Sequence, residues 1–122
     1  HIAALDRATL TVSRSSTDGG GTETFVSRVA LMSTTELGLE SGTGNGRLDI
    51  FNSDGDRAIG SDYWTRTPYP SISFGVRQLN PGGRLSGNHY AIDVIGVRPL
   101  CSPKSTVLVS LEMDEDNCYI VQ

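Results

Sequence analysis

The sequence predicts an all-β fold, an antiparallel β-sandwich of about eight strands, with a small β-barrel as the alternative closure. Three observations carry this. Short apolar–polar alternations recur between turn-forming clusters. Fourteen glycines punctuate 122 residues, more breaks than helices tolerate. No stretch repeats its apolar residues at the 3.6-residue period of an amphipathic helix. The length suits a single domain over residues 1–122, large enough to remove about two-thirds of the unfolded surface from water.

Taken in order, Ala8 to Arg14 alternates, with Leu10 and Val12 inward. Ser15 to Gly21 reads as a flexible connection ending in three glycines. Thr22 to Met32 follows, with Phe25, Val29 and Leu31 on one face and Val26, Ala30 and Met32 on the other. The two segments form a natural hairpin. Thr34 to Glu40 reads as a short strand carrying Leu37 and Leu39, and Gly42 to Gly46 breaks the chain. Arg47 to Phe51 resumes as a strand with Leu48 and Ile50 on one side.

Asn52 to Pro70 is the longest irregular stretch, and such loops are often functional. Ser71 to Arg77 reads as a half-buried strand with Ile72, Phe74 and Val76 facing the core. Asn80 to Gly83 turns the chain, and the loop runs to Asn88. His89 to Val97 is the most strand-like run, apolar on both faces, which suits a central strand. Pro99 and Pro103 bracket a bend, Thr106 to Met113 reads as a strand with Val107, Val109 and Leu111 on one face, and Cys118 to Val121 closes the set.

Composition narrows the function. The net charge is −4 and the pI about 5.0, which argues against a nucleic-acid binder or a polybasic membrane surface. No apolar run approaches the ~18 residues of a membrane span. Nine of the ten basic residues are arginine. Arginine forks suit recognition surfaces, although codon bias in a GC-rich genome gives the same skew. The chain begins at His1 without methionine, as a processed or trimmed product would. Cys101 and Cys118 could bridge, stabilising the fold by roughly 3 kcal/mol. Such a bridge would place the protein outside the reducing cytosol.

Four side chains stand out as a ligand-binding set. Tyr63, Trp64, Arg66 and Tyr69 lie within ten residues that also hold Pro68 and Pro70. Aromatic rings beside an arginine dominate recognition hot spots, and rings also stack on sugars. The alternative is that Trp64 plugs one end of the core. Asn52, Asp54 and Asp56 set oxygen ligands at every second residue, as a calcium loop does. Arg57 and Tyr63 stand where an EF-hand needs glycine and glutamate, so an ordinary turn explains the spacing equally well.

His1 and His89 are the two histidines. An N-terminal amine with two imidazoles makes a three-nitrogen copper set. The pair resembles the histidine brace of copper-dependent polysaccharide monooxygenases and of small periplasmic copper carriers. That resemblance implies a copper site on a β-sandwich. Asp93 would sit ~13 Å from His89 along an extended strand, too far to share the metal. No nucleophile elbow appears, nothing singles out a carboxylate pair among Glu36, Glu40 and Asp93, and no phosphate loop is present.

These readings converge on a secreted, non-catalytic recognition module, effector-, adhesin- or inhibitor-like. It would bind a protein or carbohydrate through loops 52–70 and 80–88. A small copper protein using His1 and His89, and a calcium-stabilised module, are the alternatives.

Overall fold

The computed structural model describes residues 5–14, 19–40, 46–86, 89–104, 109–113 and 119–121. They make a small all-β fold with almost no helix. The strands are β1 (Ala8–Ser13), β2 (Thr22–Ser27), β3 (Ala30–Leu31), β4 (Tyr63–Pro68), β5 (Gly75–Leu79), β6 (His89–Tyr90), β7 (Gly96–Val97), β8 (Pro99–Leu100), β9 (Val109–Met113) and β10 (Tyr119–Val121). A single helical turn, α1, is Asp54–Arg57. Among the described residues the strands form four sheets. Three are two-stranded, and one has four strands in the order β6-β5-β4-β7. None closes into a barrel. Strands are shorter, and sheets more numerous, than the sequence predicts.

The first hairpin is as expected. β1 and β2 run antiparallel with Ala8 opposite Ser27 and Ser13 opposite Thr22, and Leu10 is buried. Gly19, Gly20 and Gly21 all take positive φ, a conformation open to glycine at no steric cost. The expected continuation to Met32 is interrupted. The Ser27 hydroxyl donates to the Val29 carbonyl at 2.6 Å and accepts from its N–H, a local turn that ends β2 before β3 begins.

Two other expected strands are turns instead, and the one expected at Ser71 to Arg77 begins only at Gly75. At 34–40 the Ser33 hydroxyl accepts from Glu36 N–H (3.1 Å), while the Glu36 carboxylate accepts from Ser33 N–H (2.8 Å). This is a capping box. Leu39 N–H then bonds the Thr34 carbonyl and Gly38 N–H bonds Thr35, with Gly38 at φ 73°, which is a Schellman stop. At 47–51 the chain turns on Phe51 N–H to Leu48 O, so Phe51 is buried and Ile50 is exposed. At 69–75 the bonds Ile72 to Tyr69 and Gly75 to Ile72 close the β4–β5 connection, which leaves Phe74 outside.

The largest correction concerns His89 to Val97. It is not a central strand. Tyr90 and Asp93 close a turn, with Asp93 N–H donating to Tyr90 O at 2.9 Å and Tyr90 N–H to the Asp93 carboxylate at 3.0 Å. Side-chain closure by aspartate competes with a strand ladder. What remains is β6 at one edge of the four-stranded sheet and β7 at the other. Between them Ile92 is 86% exposed and Val94 99%.

β4, one of the two inner strands of this sheet, lies inside the stretch expected to be a loop. It pairs antiparallel with β5 and parallel with β7. Its Tyr63 joins Met32, Leu37, Phe51 and Leu79 in the core, and Leu39, Leu48, Leu85 and Leu100 pack against that cluster. Among the described residues no helix is long and apolar enough to cross a membrane.

Candidate functional site

β4 supplies the site, and a bulge in β4 shapes it. Trp64 is opposite Gln78 and Pro68 is opposite Val76, so three residues of β4 face only Arg77 on β5. Bulges re-aim side chains. Here the Thr65 hydroxyl donates to Arg77 O at 2.8 Å and accepts from Thr67 N–H at 3.2 Å, which stabilises the extra length.

The bulge turns Arg66 inward. Its guanidinium grips the Glu36 carboxylate at 2.6 and 2.8 Å, and donates to Leu31 O (2.8 Å) and Thr11 O (3.1 Å). Both charged side chains are almost fully buried. Thr67 Oγ1 accepts from Thr34 N–H at 3.0 Å. One bidentate pair thus ties β1, β3, β4 and the capped turn at residue 36 together.

Trp64, next to this anchor, is half-buried. It lines a shallow groove with Leu31, Val76 and Ala91. Phe74 and Tyr90 lie close by in sequence, their ring centroids 5.1 Å apart and their planes tilted by 51°. Val97 is beside Trp64 on β7, and Val97, Ile92 and Val94 are all exposed.

The four residues singled out as a ligand set therefore separate. Tyr63 is in the core, its hydroxyl donating to Arg57 O at 2.8 Å. Burial pushes its phenol pKa up, partly opposed by Arg98. Arg98 lies 5.2 Å from the Phe51 ring centre and 5.9 Å from that of Tyr63. Arg66 is spent on Glu36. Tyr69 is half-buried under the Arg77 guanidinium, 4.4 Å from its ring centre, and Arg77 bonds Glu40 at 2.6 Å. Of the four, Trp64 and Arg66 line the groove, and Tyr63 and Tyr69 do not. Val76, Ala91, Ile92, Val94 and Val97 were not anticipated as site residues. An apolar run carrying an internal aspartate was the signal available for a turn.

The acidic stretch serves the fold. Asp56 accepts from Asn52 N–H, Ser53 N–H and the Ser53 hydroxyl as part of the α1 capping box. Those bonds, chiefly from Ser53, hold its pKa below the usual carboxylate value. Asp54 sits between Arg84 and Arg57, each at 2.6 Å, and its pKa is lowered first by Arg84 and then by Arg57. Asn52 Oδ1 accepts from Arg47. Both Asp54 oxygens, Asp56 Oδ2 and Asn52 Oδ1 thus accept from internal donors. No cluster of three metal-ligating side chains occurs among the described residues.

Beside α1, Arg57 donates to Gly83 O (3.0 Å) and Leu37 O (3.2 Å). Gly83 has φ 80°, and a Cβ there would sit 2.0 Å from Asp54 O, so glycine alone fits. His1 and Cys118 lie outside the described residues, as does the His89 side chain. Cys101 is exposed, with no disulfide among the described residues.

A family model described as "Domain of unknown function (DUF6273)" matches residues 3–105. No curated protein and no solved structure matches the chain.

Proposed function

We propose that this chain, which belongs to the DUF6273 family, is a secreted, non-catalytic recognition module that binds a protein through the face around Trp64. The observation behind this reading is an apolar exterior mounted on a rigid strand. Trp64 is two residues from the buried Arg66–Glu36 anchor, and Ile92, Val94 and Val97 are 86%, 99% and 65% exposed. Burying one such side chain stabilises by about 1.5–3 kcal/mol. Contiguous exposed apolar surface marks interaction sites. Its aliphatic character favours a protein over a glycan, which needs polar groups set beside an aromatic plane.

Of the two stretches 52–70 and 80–88, this reading keeps Trp64 from the first and leaves out the second. The first contains α1 and β4, and the second packs on α1 through Gly83 and Arg84. A layered sandwich belongs to the same proposal, supported by the packing of β1 and β3 against β4. Secretion belongs to it as well, as a bridge between Cys101 and Cys118 would imply, although Cys101 is exposed and unpaired among the described residues. Both thiols alkylating freely in unreduced protein would remove that support.

The test is an Ile92→Asp/Val94→Asp variant, screened beside the parent against immobilised extracellular proteins and a glycan array. The variant should fold normally, since exposed positions change stability by about 0.5 kcal/mol or less. Saturable protein binding by the parent, lost in the variant, is the expected result. Glycan binding that survives the double substitution, or no saturable binding at all, would sink the proposal.

A further inference from the structure

Seven of the nine arginines are committed to acceptors inside the fold: Arg14 to Glu23, Arg47 to Asn52, Arg57 and Arg84 to Asp54, Arg66 to Glu36, Arg77 to Glu40, and Arg98 to Arg57 O. The remaining two, Arg7 and Arg28, form no hydrogen bond or ion pair among the described residues. Both are exposed, and both line one open concavity with Val26, Ser27 and Val29. The Ser27 hydroxyl is already engaged with Val29. The two guanidiniums are therefore the unspent polar side-chain groups of this cup, in a chain whose net charge is −4.

The cup borders β2. Among the described residues β2 pairs with β1 alone, which leaves its other edge without a strand partner among them. Phe25, Val26 and Val29 are partly exposed along it. An extended peptide can add to such an edge as a further strand. A glycan has no amide ladder to match. A carboxylate fits a guanidinium fork in both charge and shape.

We propose that the open edge of β2 binds an extended acidic peptide segment of a partner protein, with a carboxylate held between Arg7 and Arg28. The cup shares no lining residue with the Trp64 groove, so this inference stands or fails separately from the reading above.

The experiment titrates the chain with three labelled probes: an alternating glutamate–valine peptide, the matching glutamine–valine peptide, and a heparin oligosaccharide. Anisotropy gives the affinities, and amide chemical-shift mapping on the unaltered chain locates binding. The glutamate peptide should bind and should weaken steeply with added salt. Its glutamine analogue should bind at least about tenfold more weakly, and Arg7→Gln and Arg28→Gln should each cost roughly tenfold. Shifts should concentrate in residues 22–27. Neither arginine is bonded among the described residues, so both variants should melt within about 3 °C of the parent.

Equal affinity for the two peptides would overturn the proposal, as would shifts centred elsewhere. Arginine-dependent heparin binding without peptide binding would assign the cup to a sulfated glycan and overturn it too. Mapping on the parent decides the matter even if a variant is unstable.

Discussion

Within one sheet, β4 and the Ala91–Ile95 connection live in opposite environments. β4 has a strand on either side and buries Tyr63, Thr65 and Thr67. Ala91–Ile95 leads from β6 to β7 with its large aliphatic side chains Ile92 and Val94 in water. Polarity alone would assign them the other way round. The difference lies in partners. Thr65 has Arg77 O, Thr67 has Thr34 N–H, and Arg66 has a carboxylate and two carbonyls. A satisfied hydrogen bond contributes about 0.5–1.5 kcal/mol net, whereas an orphaned buried group costs about 1–3 kcal/mol. With the side chains of Thr65, Arg66 and Thr67 matched, their burial is favourable. Ile92 and Val94 have nothing in the described fold to pack against.

The contrast can be broken most severely at Arg66. Arg66→Met leaves the Glu36 carboxylate buried and alone, which should cost about 3–5 kcal/mol in a denaturant titration. Adding Glu36→Gln should recover part of that loss. If the single variant loses less than ~1 kcal/mol, the pair behaves as a surface pair and the anchor argument fails.

A smaller effect is expected at Tyr63. Its folded pKa is raised by burial, so the neutral phenol is the form that folding favours. The associated stability is complete below the unfolded tyrosine pKa of about 10, and is lost as pH rises from there through the folded value. Tyr63→Phe should flatten the alkaline slope of stability. At neutral pH it should cost about 1 kcal/mol for the bond to Arg57 O. An unchanged slope would mean the phenol is not shielded.

The least disturbance belongs to the other region. Ile92→Ser with Val94→Ser should move stability by about 0.5 kcal/mol or less. A loss of several kcal/mol would show that these side chains are covered in solution, by a second copy or by the rest of the chain.

Legibility followed the same division. β1 and β2 could be read because Leu10 alternates with polar neighbours and three glycines close the hairpin. β4 was hidden because two of its inward residues are threonines and its bulge breaks the period. The Tyr-x-Thr-x-Thr pattern of strand-favouring residues was the clue. Ser33 to Glu36 was equally readable, since Ser-x-x-Glu with glycine at residue 38 is a helical-turn signature, yet Leu37 and Leu39 drew attention to a strand. The groove was half visible, through Trp64. Its other wall comes from Leu31, Val76 and Ala91, which meet through pairings that no local pattern encodes.

The segment 96–103 is stitched across the earlier part of the chain. β7 pairs with β4, β8 with β3, and Pro103 with Leu5, while Asp6 N–H bonds Ser102 O. Proteolytic cleavage within Ala91–Ile95 would therefore sever the polypeptide without releasing either piece. The two fragments would be expected to stay associated and, made separately, to reconstitute the fold by complementation.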